Sequence, residues 1–340
     1  MDDAQKESAV TRALRWWAVF AIPLLAPAVA GGFAPGEVYW APGDCSLTCG
    51  MFDVTQGGDL QGASPVAVIS RSPGQIAWRG RPLAGYLTQF DPGTVVRVSS
   101  SGAVTGFATG IDGATGLLVD SSGRVLAVSF DDGAVYDISA GGDYSAATAF
   151  AFGFGSPRNL LELETGEILL ADQSPLGRAV FDITAGGDFS SASPFAFGFP
   201  PDGPYDLVQD GAGRIFASTD AGVFDITAGG NFSSATPHAS GRVFVGLAVD
   251  AAGRLLASEL ESGDVYDITA AGSYAAATPF ASNLDGFGDS ALDTVPALPA
   301  PPVPSLDGNG VALLSSLLAL LGAARAARRR PDRGSGAARG

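Results

Sequence analysis

Oxygen-bearing side chains are the main chemical resource of this chain. Asp112, Asn159, Asp202, Asp206, Asp285 and Asp289 stand in short segments that lead into apolar runs, Arg158 sits among them, and Glu162 lies just inside one run. Carboxylate and amide oxygens gathered from several such segments would suit Ca2+ or another hard divalent cation, the candidate cofactor. Other chemistries lack their residues. His238 is the one histidine and no Gly-x-Ser-x-Gly elbow occurs, so no Ser-His-Asp set can be assembled. The Gly-Gly-Asp-Phe-Ser segments lack the lysine and the strand-loop-helix setting of a phosphate-binding loop. Asp307-Gly308-Asn309-Gly310 lacks the spaced carboxylates of an EF-hand.

Whether those oxygens converge depends on the elements that carry them, and these repeat. Val180-Phe181-Asp182-Ile183-Thr184-Ala185-Gly186-Gly187-Asp188-Phe189-Ser190 recurs from Val135, Val223 and Val265, with a looser copy from Phe52 and a degenerate one from Val96. The anchor positions 53, 97, 137, 182, 225 and 267 are separated by 44, 40, 45, 43 and 42 residues. A period of this length, with short strands in each unit, is the mark of a β-propeller. Within a unit, Gly246-Leu247-Ala248-Val249-Asp250 reads as an innermost strand buried on both faces. Asp250-Ala251-Ala252-Gly253 is a tight turn, Arg254 to Ser258 a second strand and Asp264 to Thr269 a third. The third alternates Val265, Asp267 and Thr269 against Tyr266 and Ile268, the pattern of a half-buried strand. A glycine-rich turn then leads to an outer strand beginning at Pro279-Phe280-Ala281. The Asp-x-x-Gly-Arg turn recurs at Asp120 to Arg124 and Asp210 to Arg214, and is altered at Glu164 to Glu167.

This order of strands and turns resembles the NHL-type and gluconolactonase-like six-bladed propellers over roughly residues 36 to 296. The resemblance implies an all-β ring whose ligands bind at the mouth of the central channel. It further implies a divalent metal held by a Glu and Asn/Asp set, for which Glu162, Asn159, Asp206 and Asp289 are the candidates. Ring closure follows from the ends of the repeat region. The last unit offers an outer strand near Phe280 and an inner strand near Ala291-Leu292-Asp293, then runs into proline. Gly36 to Trp40 and Met51 to Val54 match second and third strands and complete that sheet, which removes an exposed edge. The expected fold is therefore a six-bladed β-propeller over residues 31–296 with closure by both chain ends. The least regular stretch runs from Arg71 to Gln89.

The flanking segments speak of export. Residues 1–30 carry basic Lys6, Arg12 and Arg15, an apolar stretch and the small-x-small Ala28-Val29-Ala30, as a signal peptide handled by the Sec machinery does. Cys45 and Cys49, the only cysteines, suit a local disulfide in an oxidising compartment. Residues 297–309 form a proline-rich linker, residues 310–330 an apolar run ending in arginines, and residues 331–340 a tail expected to be disordered. Val303-Pro304-Ser305-Leu306 followed by this run and Arg328, Arg329 and Arg330 resembles bacterial sorting signals of the PEP-CTERM type, the IPTL-CTERM variety above all. That resemblance implies a membrane protease as partner, transient membrane attachment through the C-terminal helix, and a propeller outside the inner membrane. An ordinary single-pass tail anchor is the other reading, and it places the propeller on the same side.

Net charge is −16, and the basic residues between positions 31 and 296 are ten arginines. No basic stripe is available for phosphates, which argues against nucleic acid as a partner. The leading expectation is an exported binding or scaffold module at the envelope or in the extracellular matrix, with a protein or glycan ligand. The alternative is a metal-dependent lactonase using the channel acids. A lyase of the streptogramin type would need a histidine facing the channel, whereas His238 occupies the slot of Phe195 and Phe280 in Pro-Phe-Ala.

Overall fold

The computed structural model describes residues 33–296 apart from 44–48, 70–72, 80–82, 175–177, 201–202 and 285–290. Six sheets radiate from a common axis. Their innermost strands are Ala291–Thr294, Pro73–Arg79, Ala114–Val119, Pro157–Glu162, Leu207–Gln209 and Phe244–Val249. The fold is thus an all-β six-bladed propeller, without helix among the described residues. The irregular stretch after Arg71 is a blade like the others, its inner strand pairing with Ala84–Gln89.

Closure joins the two ends of the ring in one sheet. Val38–Ala41 lies between Ala291–Thr294 and Cys49–Asp53, with Val38 opposite Thr294 and Ala41 opposite Ala291. Ala67–Ile69 completes this closing blade. Blade stability comes from the interfaces, because each hydrophobic cluster spans two neighbours. Leu169, Ala171 and Val180 of one blade pack with Leu207, Ile215 and Phe224 of the next. Tyr39 and Met51 of the closing blade pack with Ile76 and Trp78. For that reason third strands are less one-sided than their alternation predicts: Val265 and Tyr266 are both buried and Asp267 is exposed.

The repeated phrase has two structural parts. In its first half, Asp182 Oδ1 accepts bonds from Thr184 N at 3.0 Å and Thr184 Oγ1 at 2.5 Å. The oriented hydroxyl then accepts Ile168 N from the second strand at 2.9 Å. Val38 on Thr55, Val125 on Ser139, Ile215 on Thr227 and Leu255 on Thr269 repeat that bond. A buried strand end, whose N–H would otherwise lack a partner, is closed in this way in five blades.

The second half departs from the expected simple turn. Gly187–Asp188 is a short fifth strand that pairs in parallel with Ala151–Phe152 of the preceding blade. Gly187 N bonds Phe150 O at 2.9 Å and Phe189 N bonds Phe152 O at 2.8 Å. Equivalent straps cross five of the six junctions. Gly186 adopts φ of 64° and lies so close that an added Cβ would sit 2.6 Å from Phe150 O, which explains the first glycine. At the sixth junction the strap is shortened to a tight turn, where Gly102 lies against Val66 O and an added Cβ would sit 2.3 Å from it. That junction is filled instead by Phe33, Tyr39 and Trp78, whose ring centroids are 4.7–5.3 Å apart.

Candidate functional site in the central channel

The innermost strands run side by side around the axis, so their upstream ends share one mouth and their downstream ends the other. Near the upstream end Asn159 and Asp206, both buried, come from neighbouring blades. Asn159 Nδ2 donates directly to Asp206 Oδ1. Leu207 N donates to the same oxygen at 2.7 Å, and Leu247 N, from the next blade, donates to Oδ2 at 2.7 Å. One carboxylate therefore ties three blades together. Arg158 lines this end with Tyr205 and lies 4.9 Å from the centroid of Phe130 and 5.8 Å from that of Tyr205. Its Nε donates to Gln173 Oε1 at 2.6 Å.

Beyond this waist the channel widens into a cavity of about 320 Å³ to which all six inner strands contribute. Asp293, on the closing strand, faces it and is exposed there only in part. Its Oδ1 accepts Thr294 N at 2.7 Å. Burial pushes both carboxyls up, Asp206 to about 7 and Asp293 to about 8. The three donors facing Asp206 pull against burial, whereas Asp293 has one donor and also feels the charge of Asp206. The two are coupled, so their titration belongs to the pair.

The four residues proposed as a metal set are distributed as follows. Asn159 and Asp206 meet. Glu162 lies at the downstream end, where Ser121 N and Ser121 Oγ each donate to it at 2.6 Å. Asp289 lies outside the described residues, as do Asp202 and Asp285. Among the described residues no group of three His, Cys, Asp or Glu is arranged to hold a metal ion. The sequence reasoning missed Asp293 as a channel acid. Leu292 pairs with Trp40 as Leu247 pairs with Ala257, so Asp293 takes the place of apolar Ala248. A carboxyl at an otherwise apolar inner-strand position was the signal that could have found it.

The remaining candidates have structural partners or lie outside the described residues. His238 Nε2 donates to Ile268 O at 2.9 Å and its ring lies 5.1 Å from Phe216, away from the channel. Asp120, Asp210 and Asp250 each accept an arginine side chain four residues on, at 2.6–2.8 Å. Arg124, Arg214 and Arg254 also lie over Phe150, Phe216 and Phe280. Cys49 is disulfide-bonded; Cys45, the only other cysteine in the chain, lies outside the described residues. So do residues 1–30, where a signal peptide is expected, Val303 to Leu306, and Arg328 to Arg330. Among the described residues no helix is long and apolar enough to cross a membrane.

Residues 301–330 match the IPTL-CTERM motif. No curated protein matches the chain in sequence. Among solved structures, a chain of a nidogen/laminin complex is similar at TM-score 0.51 and 9% identity, with 76% of this chain and 100% of that one covered. A gluconolactonase from Xanthomonas campestris is similar at TM-score 0.38 and 15% identity, covering 80% and 89%. A catalytically inactive virginiamycin B lyase from Staphylococcus aureus is similar at TM-score 0.41 and 9% identity, covering 65% and 78%. The likeness to the nidogen/laminin complex chain, at 9% identity, speaks for fold alone and leaves activity open. The chain is a six-bladed β-propeller that carries an IPTL-CTERM sorting motif behind its closing blade.

Proposed function

We propose that the protein is exported and works as a binding and scaffold module at the cell envelope, directed there by its C-terminal motif. The observation that carries this reading is the position of the motif. The ring closes at Ala291–Thr294, and the IPTL-CTERM match begins at residue 301, so a complete propeller precedes a sorting signal. The repeated polar residues support it, since the Asp and the Thr or Ser of five copies are spent on blade construction. Deleting the chain from Val303 tests the reading by cell fractionation. Loss of envelope retention is expected; unchanged retention would refute the targeting role.

A second reading is a metal-dependent hydrolase of the lactonase type, favoured by the meeting of Asn159 and Asp206 in the channel with Asp293 nearby. Its test is the divalent metal content and turnover of a broad lactone panel by wild type, Asp206→Asn and Glu162→Gln. This reading predicts metal-dependent turnover that Asp206→Asn abolishes. Absence of both metal and turnover in the wild type would dismiss it.

A further inference from the structure

At its rim the closing blade differs from the other five. Five sheets carry on their outer edge a short parallel strand lent by the next blade, whereas the sheet of the closing blade ends at Ala67–Ile69. In each strapped junction an alanine of the outer strand lies opposite a glycine of the strap, as Ala151 lies opposite Gly187 and Ala281 opposite Gly58. Ala67 holds the same place. It pairs with Met51 as Ala151 pairs with Val135, and Val66 N bonds Met51 O at 2.8 Å as Phe150 N bonds Val135 O at 2.7 Å. The closing blade thus keeps the receiving half of a strap junction.

The giving half stops short. Gly102 stands where Gly186 does, and Ser99 N bonds Ala103 O at 2.9 Å, so the chain turns back before the pairing residues. Phe33, Tyr39 and Trp78 fill the interior of this junction and supply no strand to the edge. The strap after Gly186 bonds Phe150 O and Phe152 O; among the described residues no such N–H reaches their counterparts, Val66 O and Val68 O. Ala67-Val68-Ile69 also carries neither charge nor proline, the usual means of blunting an edge, and Val68 is 39% exposed.

The other junctions say what fits such an edge. In four of them the strap glycine opposite the alanine has φ of 90–99°, which excludes most side chains. The residue after it is Asp, Asn or Ser in all five. We propose that Ala67–Ile69 is a docking edge for an extended segment of a partner protein, added in parallel with a glycine opposite Ala67 and Asp, Asn or Ser next. This rests on the binding-module reading and gives it a partner class. Backbone bonds to Val68 supply the attraction, as in strand addition generally. A second copy of this chain fits less well, because its Gly-Asp segments and their equivalents are already paired and a net charge of −16 on each copy opposes approach.

Isothermal titration of the purified chain with the end-blocked peptide Gly-Asp-Phe-Ser-Ser-Ala, the sequence of Gly187 to Ala192, tests the assignment. It should bind with a dissociation constant below about 1 mM. The same peptide with valine for its glycine should bind about tenfold more weakly or worse, because valine resists the positive φ. A strand residue directs its N–H and C=O to the same side. Val68→Pro therefore removes an edge donor and should weaken binding by about tenfold, while Val68→Thr should leave it unchanged. Should Val68→Pro fail to give a wild-type circular dichroism spectrum, the two-peptide comparison and slower hydrogen exchange of the Val68 amide with peptide bound still decide. No binding, equal binding of the two peptides, or a Val68 amide that the peptide does not protect would overturn the proposal. Self-association that Val68→Pro abolishes would also overturn it and assign the edge to a second copy. None of these outcomes bears on cell fractionation, so failure here is distinguishable from failure of the targeting reading.

Discussion

Side-chain oxygens do two kinds of work in this molecule, and the difference lies in what surrounds them. On third strands, Asp182 and its equivalents orient a hydroxyl that closes a buried strand end. Thr184→Val keeps the shape and removes the acceptor, so it leaves Ile168 N–H unpaired in an environment where Ile168 is 1% exposed. It should cost about 1–3 kcal/mol, read as a lower urea midpoint. In the channel Asp206 is buried and Asp293 half-buried, neither in an ion pair, and their linkage to stability has a definite sign. A carboxyl whose folded value lies above its unfolded one favours folding while protonated, and that contribution is lost as pH rises through the folded value. With Asp206 at about 7 and Asp293 at about 8, thermal stability should fall between about pH 5 and about pH 9, and Asp293→Asn should flatten the fall. Asp120 and Asp210 act oppositely. Burial alone would raise them, but bonds from Arg124 and Arg214 among others hold them low, so their contribution is lost only on the acid side. A melting temperature that does not change across the alkaline limb would contradict the channel assignment.

At the scale of elements, the repeated phrase is both strand and latch. Its Gly-Gly-Asp part leaves its own blade to add a parallel strand to the preceding one, with two backbone hydrogen bonds at Gly187 and Phe189. Gly186→Ala puts a methyl group 2.6 Å from Phe150 O at a positive φ, so it should destabilise by about 1–3 kcal/mol through a single junction. Gly123, also at positive φ but facing open space, is the control: Gly123→Ala carries the conformational cost without the collision and should cost less. Chemical denaturation of both variants checks the order, and equal losses would mean that the latch contributes little. These straps were the least legible feature of the sequence. Two glycines and an aspartate look the same whether they form a local turn or cross to the next blade, because the partner strand is chosen by ring geometry. Strand order and blade count were legible because periodicity reports them directly. The closing blade was legible too, since Gly36 to Trp40 and Met51 to Val54 supply the two strands that the last repeat lacks.

At the scale of the whole molecule, closure and location belong together. A ring closed by Val38–Ala41 against Ala291–Thr294 has both of its own ends in one sheet, and the motif at residues 301–330 follows it in the sequence. The site was half legible. Asn159 and Asp206 were found because both stand at the upstream ends of recognisable inner strands. Asp293 was not, because its strand has no Gly-Leu-Ala-Val-Asp pattern and it feels a charge two blades away, outside any sequence window. On the function proposed above, the ring would set what is bound and the tail would set where it works. The most direct test of the central claim is therefore fractionation of cells in which residues 301–340 are appended to an unrelated exported carrier. The account predicts that the carrier moves from the freely soluble fraction to the envelope fraction occupied by the full chain, and that removing Arg328, Arg329 and Arg330 releases it. A carrier that stays soluble with the motif attached would contradict the account.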